Sequence, residues 1–303
     1  MRTDATALSG WIILDKPLGL TSAQGVAAIK RLLRTAGLPV PRIGHGGTLD
    51  PLATGVLPIA LGEATKLAGR MLDAAKGYDF TVQFGRQTST LDAEGEVVAT
   101  SDERPSPEQI AAILPHFTGP IDQVPPAYSA LKVDGKRAYA LARAGEAVSL
   151  ATRHITVHRL DLIATTPDSA SFACLVSKGT YIRSLARDIA IALGSVGHVT
   201  RLRRTRSGPF RLDQAISLDK MAELVQGRHL EQGLLPLTAG LDDIPALAIT
   251  PDEAAALMQG RRLPGHPASN GTYLASLGSV PVALVEAHSG EVRVLRGFNL
   301  LKE

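Results

Sequence analysis

Apolar and polar residues change period several times along the chain, and each change marks an element. Trp11–Leu14 is a compact apolar run closed by Lys16-Pro17-Leu18-Gly19, which predicts a short strand. Val26, Ile29 and Leu33 then recur at helical spacing behind Thr21 or Ser22 as a cap, with Gly37 as the stop. Leu38–Gly55 is rich in Gly and Pro and has little periodicity, so it is expected to be a loop; long irregular loops in compact domains more often serve function than fill space. Glu63–Ala74 reads as helix, and the alternation of Tyr78, Phe80, Val82 and Phe84 predicts a strand with one apolar face.

Further on, Ser106-Pro107-Glu108-Gln109 is a capping box with Pro at the first helical position. Pro125–Val133 has extended character, Asp134-Gly135 is a turn, Lys136–Ala144 forms a helix, and His154–Ala164 and Ser171–Val176 are strands. The clearest helix runs from Thr180 to Leu193. There Ile182, Leu185, Ala186, Ile189, Ala190 and Leu193 make one apolar stripe, with Arg183 and Arg187 as i,i+4 neighbours at its edge. His198–Arg206 is an Arg-studded strand, and Leu218–Gly240 mixes helix and linker. After Pro245 come a small helix around Glu253–Met258 and strands near Thr272–Ser276, Val280–Glu286 and Glu291–Leu295, a compact β appendage. The pattern alone gives an α+β protein, without internal repeats or low-complexity tracts.

Composition narrows the class. The 303 residues hold 45% apolar and 20% charged side chains, a globular rather than a disordered mixture. One cysteine, Cys174, excludes an internal disulfide framework and multi-cysteine metal sites, and fits a reducing compartment. Its place between Phe172 and Val176 in the strand alternation points to core packing. No apolar run approaches the roughly 18–20 residues that span a bilayer, and the start MRTDATALSGWIILDKP lacks a signal-like core, so a cytoplasmic protein is expected. The formal charge is only +3, but its distribution is uneven: Lys178–Arg206 carries +6 and the remainder −3. Such a local cluster is the footprint expected of a nucleic-acid groove, set against the commoner fate of a solvated charged face.

Candidate chemistry lies in the long loop, Gly44-His45-Gly46-Gly47-Thr48-Leu49-Asp50-Pro51-Leu52-Ala53-Thr54-Gly55. Its glycines allow close backbone approach to a ligand. Asp50 before Pro51 is held on an extended or turn backbone. A carboxylate there can be a nucleophile, a general base or a metal ligand, or an Asp that caps its own turn, the usual role of a lone Asp-Pro pair. The loop lacks the Gly-Lys-Ser/Thr ending of a P-loop.

The motif Gly44-His45-x-Gly47-x-Leu49-Asp50-Pro51-x-Ala53-x-Gly55 resembles the signature of the TruB-type pseudouridine synthases, which isomerise the T-loop uridine of tRNA. Four further segments are similar to that family in the same order along the chain. They are Leu14-Asp15-Lys16-Pro17-x-Gly19-x-Thr21-Ser22; Lys76-x-Tyr78 with Gly85-x-x-Thr88-x-Thr90-x-Asp92-x-x-Gly95; Pro125-Pro126-x-Tyr128-Ser129-Ala130-x-Lys132, reaching to Tyr139 and Ala142-Arg143; and Gly179-Thr180-Tyr181-Ile182-Arg183-Ser184-Leu185-Ala186-x-Asp188, followed by Leu202-Arg203-Arg204-Thr205-x-Ser207-Gly208. One departure is Gly46, where many relatives carry Thr.

The resemblance implies a catalytic domain over residues 1–240 with a mixed, mainly antiparallel central sheet and an RNA-binding insertion at about 120–150, then a PUA-like β domain over 245–303. It implies Asp50 as nucleophile on a flipped-out uridine, Arg183 as its cationic partner and Tyr78 as the ring that stacks on the base and acts as acid or base. His45, Tyr181 and Leu202 would line the uridine site. Lys16, Lys132, Arg143, Arg201, Arg203, Arg204 and Arg206 are candidates for RNA backbone contacts. The chemistry needs no cofactor and no metal; the expected partner is tRNA, through its T-stem-loop and acceptor stem, and the expected state is a monomer. Two rivals remain open: an RNA chaperone using the same groove, and a metal-dependent nuclease using Asp50 and Asp92.

Overall fold

The computed structural model describes residues 8–301 except 134 and 147. Asp134 of the expected turn and the first seven residues of the chain start lie outside the described residues. The first part of the chain runs β1 (Gly10–Lys16), α1 (Ser22–Thr35), β2 (Ile43–His45), β3 (Ala53–Leu61), a 3₁₀ turn, α2 (Ala68–Asp73), β4 (Lys76–Phe84), β5 (Arg86–Thr88) and β6 (Val97–Thr100). It continues through α3 (Pro107–Ile113), β7 (Gly119–Gln123), β8 (Lys132–Val133), β9 (Lys136–Arg137), α4 (Ala138–Arg143), β10 (Arg153–Thr166), β11 (Ser169–Val176), α5 (Ile182–Ala192), β12 (Gly197–Ser207), β13 (Phe210–Arg211) and α6 (Leu218–Gln226).

The central sheet has the order β1-β3-β12-β4-β11-β10-β7, with β2 paired to β3 and β13 to β12. Every pairing is antiparallel except β3 with β12. Alternation along β1 sorts its residues between two faces. Ile12 and Leu14 pack with Val26, Ile29 and Leu33 of α1 and Met221 of α6, whereas Trp11 and Ile13 meet Leu67, Met71 and Phe210. Across β4, β11 and β10, Phe80, Val82 and Phe172 form a third cluster that receives Ile182, Leu185 and Ile189 of α5. Full burial of side chains such as Leu185 and Ile189, both 0% exposed, stabilises the helix on the sheet by roughly 1.5–3 kcal/mol each.

Two expectations need correction. The loop predicted over Leu38–Gly55 is interrupted by β2 and ends where β3 begins, leaving 46–52 irregular. A three-residue strand is too short to show a period, and β3 is buried between two neighbours, so its Val56–Leu61 run is apolar without alternation. The helix expected over Lys136–Ala144 starts only at Ala138, because Lys136 and Arg137 pair with Val133 and Lys132.

A second sheet is built from β14 (Ala246–Ala248), β15 (Leu263–Pro264), β16 (Gly271–Leu277), β17 (Val280–His288) and β18 (Glu291–Gly297), with α7 (Pro251–Met258) against it. Its order is β14-β16-β17-β18-β15. Val282, Val285, Val292 and Leu257 form its own core, while Leu274, Leu284 and Phe298 pack with Trp11 and Phe210 of the body. Among the described residues, no helix is long and apolar enough to cross a membrane.

Candidate active site

Three buried side chains hold the 46–52 segment. Ser22 Oγ accepts from the Leu49 amide at 2.8 Å and lies 3.2 Å from the Leu49 carbonyl, fastening the loop to the start of α1. Lys16, 0% exposed at the end of β1, donates to the carbonyls of Pro17, Leu20 and Pro51 at 3.0, 2.6 and 3.3 Å. Arg204, 1% exposed on β12, donates to the carbonyls of Val56, Thr48 and Gly47. Gly55 makes the last of these possible: at φ +99°, a Cβ there would lie 2.2 Å from the Arg204 carbonyl oxygen. The result is a loop with little freedom, presenting Asp50 between two strands of the sheet.

Asp50 meets Arg183 from the first turn of α5. Asp50 Oδ2 lies 3.0 Å from Arg183 Nε, and Arg183 Nη1 lies 3.3 Å from Asp92 Oδ2. The same guanidinium donates to the carbonyls of Thr90 at 2.8 Å and Tyr128 at 2.9 Å. Asp92 is fixed in turn, its Oδ1 accepting from the Thr90 hydroxyl at 2.5 Å and the Glu94 amide at 3.1 Å. A cation at a helix N-terminus opposes the helix dipole, so Arg183 there needs counter-charge, and the two carboxylates supply it. The Arg183 side chain is 7% exposed and the Asp50 side chain 41%, so the arginine is sealed and the carboxylate opens to the cleft. The space between Asp50 and Asp92, which the nuclease rival reserves for a metal, is bridged by this guanidinium.

The cleft holds about 1020 Å³, and its wall includes Asp50, Tyr78, Tyr128, Tyr181, Arg183 and Leu202. Tyr78 stands on β4, and burial pushes its phenol up, with the Arg204 guanidinium beside it opposing that shift. Tyr181 precedes α5, its amide bonded to the Gln123 side chain at 2.8 Å; burial raises its phenol too, against the pull of Arg153. Leu202 sits on β12 beside Ala53 and Phe80. These placements bring together Asp50, Arg183, Tyr78, Tyr181 and Leu202 as expected. His45 is not on that wall. It lies in β2 opposite Ile59, its Nδ1 is buried without a hydrogen-bond partner among the described residues, and burial followed by Arg204 depresses its ring below the usual histidine range.

The basic segment does not behave as its charge suggests. Lys16 and Arg204 are enclosed and bonded to carbonyls, so both are corrected from RNA contacts to internal supports. Arg203 makes a two-pronged pair with Asp15 at 3.0 and 2.9 Å, and Arg206 donates to the Gly208 carbonyl at 2.7 Å; both are half-buried and internally engaged. Lys178 pairs with Asp73 and Arg187 with Asp188. Lys132, Arg143 and Arg201 are exposed, and Arg143 lies over the Tyr139 ring at 5.8 Å on the cleft wall. Sequence charge reports no burial, which is why the Lys178–Arg206 segment looked like one patch.

Sequence reasoning gave no role to Thr90, Tyr128 or Lys76, saw Ser22 only as a possible helix cap, and saw Asp92 only as a metal ligand. All five lie inside the recognised segments, which was their only signal. Lys76 closes α2 by donating to the Met71, Leu72 and Ala74 carbonyls at 2.7, 2.8 and 2.6 Å. Cys174 is buried in the core as expected, its thiol pushed up to about 12 by burial.

Comparison with known proteins gives a consistent result. Residues 30–182 match the family model of the TruB family pseudouridylate synthase N-terminal domain, and residues 183–242 that of the tRNA pseudouridylate synthase B C-terminal domain. The chain is 62% identical over 298 residues to the tRNA pseudouridine synthase B of Novosphingobium aromaticivorans, covering 97% of this chain and 98% of that one. To the enzyme of the same name from Zymomonas mobilis it is 58% identical, with 97% of each chain covered. Among solved structures, an H/ACA RNP bound to a substrate RNA containing 2′-deoxyuridine aligns with a TM-score of 0.73 and 26% identity over 95% of this chain and 84% of that one. A Cbf5-Nop10-Gar1 complex aligns equally well, with a TM-score of 0.73 and 28% identity over 97% and 85%.

Proposed function

The chain belongs to the TruB family of pseudouridylate synthases, and from that premise we propose that it converts the T-loop uridine of tRNA, position 55, to pseudouridine with Asp50 as nucleophile. The observation that carries this reading is the chain of contacts Asp50–Arg183–Asp92 at the wall of a cleft whose lining includes Tyr78 and Tyr181. Isomerisation breaks the N1–C1′ bond, turns the uracil, joins C5 to C1′, loses the proton from C5 and leaves one on N1. No atom is gained or lost, so the reaction needs no redox partner.

In this reading the uridine leaves its stack and enters between Tyr78 and Tyr181, with Leu202 against the base. Asp50 works on the sugar while Arg183 supplies the counter-charge in a site from which bound RNA has displaced water. Asp92 keeps Arg183 from turning away. Tyr78 enters the reaction as a neutral phenol, consistent with the upward push of burial. The exposed Lys132, Arg143 and Arg201 are assigned to RNA phosphates, the second sheet to the acceptor stem as a PUA-like domain over 245–303, and the enzyme is taken to act as a cytoplasmic monomer.

The test uses a T-stem-loop RNA tritiated at uridine C5, without added metal. The wild-type chain is expected to release tritium and leave the strand intact. Asp50→Asn is expected to bind the RNA and release none, a loss of at least about 10⁴-fold. Weakened binding with turnover preserved would sink the assignment of Asp50, and a cut strand would favour the nuclease.

A further inference from the structure

Arg204 has a place in the site that its charge does not explain. It is 1% exposed, and among the described residues no carboxylate pairs with its guanidinium within 4 Å, the ion pair of β12 being made by Arg203 instead. It donates from Nε to the Val56 carbonyl at 2.7 Å, from Nη1 to Thr48 at 3.2 Å and from Nη2 to Gly47 at 3.2 Å. Gly47 and Thr48 lead into Asp50, and Val56 lies on the strand that carries the chain away from it. On β12, Arg204 is also the direct cross-strand partner of two residues, Gly55 on β3 and Tyr78 on β4. Directly paired residues of antiparallel strands share a face, so the Arg204 and Tyr78 side chains emerge together.

A buried guanidinium without a counter-ion is costly, and an apolar side chain of similar length would pack there without that cost. The planar fork offers what such a side chain lacks: several fixed donors reaching three carbonyls on two segments at once. We infer that Arg204 is a positioning residue for the isomerisation, tying the loop that carries Asp50 to the strand that carries Tyr78. This inference rests on the proposed roles of Asp50 and Tyr78. It is supported by the neighbours' titration, since Arg204 counters the upward push on the Tyr78 phenol and adds to the downward push on His45.

The experiment compares the full chain with Arg204→Lys, which keeps the charge and loses the fork. Arg204→Gln, which keeps an amide donor, takes its place if the lysine variant does not fold. With the tritiated T-stem-loop under single turnover and saturating protein, the rate constant is expected to fall about 100-fold. The RNA dissociation constant should change by less than about threefold, because no RNA contact is removed. Combining the substitution with Tyr78→Phe should give losses that fail to multiply, by about tenfold or more. In Arg204→Gln, which removes the charge, the Tyr78 phenol, followed as the part of the tyrosinate difference spectrum lost with Tyr78→Phe, should titrate at higher pH.

An unchanged single-turnover rate, or losses that multiply cleanly with those of Tyr78→Phe, would overturn the inference. So would a defect confined to RNA affinity, which would make Arg204 a phosphate contact. Asp50→Asn is run alongside. Turnover surviving in that variant removes the underlying reading, whereas its loss together with a normal Arg204→Lys rate removes only the coupling through Arg204.

Discussion

At the scale of single residues, the site is organised by buried cations rather than by the exposed ones that the sequence makes conspicuous. Lys76 shows the consequence for stability. Its ammonium is 8% exposed and bonded to three carbonyls, and burial, with Arg204 as a second cause, lowers it to about 8. The unfolded chain holds that proton up to its ordinary value of 10.5. Below about 8 both states are protonated and the cost of burial is fully present. Between about 8 and 10.5 the unfolded chain binds more protons than the fold, so this residue's contribution to stability rises with pH. Lys16, also lowered to about 8 by burial, acts in the same direction. Urea unfolding of wild type and Lys76→Met at about pH 7.5 and about pH 9.5 isolates the effect of Lys76, because Lys16 is common to both. Wild type is expected to gain on the variant at the higher pH. A constant difference would show that Lys76 titrates normally.

At the scale of elements, legibility follows how strictly a local pattern is imposed. The stripe of α5 and the alternation of β4 and β11 were readable because each element buries one face. The capping box at Ser106 was readable because it is local, as was a cap at Thr21 or Ser22, which the structure places at Thr21. β3 escaped because both its faces are covered, and β2 because three residues carry no period. In the site, Asp50, Tyr78 and Arg183 were legible through the family segments, whereas the supporting roles of Lys16, Lys76 and Arg204 were not, since burial of a charge depends on the tertiary fold. Gly46 joins the two levels. A Cβ at this position would come 2.6 Å from Met71 Cβ and 3.0 Å from its Cγ, on helix α2, where Met71 is 3% exposed. Met71 therefore fills the space that a threonine side chain would enter. Gly46→Thr is expected to destabilise the fold by about 1–3 kcal/mol and slow turnover by displacing the loop. Met71→Ala should cost less stability beside Gly46→Thr than alone, because it frees the Cγ position that the threonine branch enters. Thermal unfolding and tritium release measure the pair, and a Gly46→Thr variant equal to wild type would refute the steric argument.

At the scale of the molecule, the second sheet is more than an appendage strung after the body. Leu274, Leu284 and Phe298 share one core with Trp11 and Phe210, and Lys66 reaches the Gly297 carbonyl at 2.9 Å while Glu63 accepts from the Asn299 amide at 2.8 Å. Trp11 is the only tryptophan, is fully buried, and lies 5.2 Å between centroids from Phe210, so its emission reports the body at the junction. If the two sheets unfold as one unit, loss of the ring that directly follows β18 must lower the transition seen by a ring on the first sheet. Phe298, 2% exposed, is the side chain to remove. Phe298→Ala is expected to cost about 3–5 kcal/mol, and urea midpoints read from Trp11 fluorescence and from far-UV circular dichroism should fall together. A Trp11 midpoint left in place while circular dichroism develops an early phase would mean that the second sheet opens alone. In that case its position relative to the cleft would be adjustable on the RNA. A joint fall instead fixes the span between the cleft and the second sheet, so that an RNA touching both must meet them at a set distance.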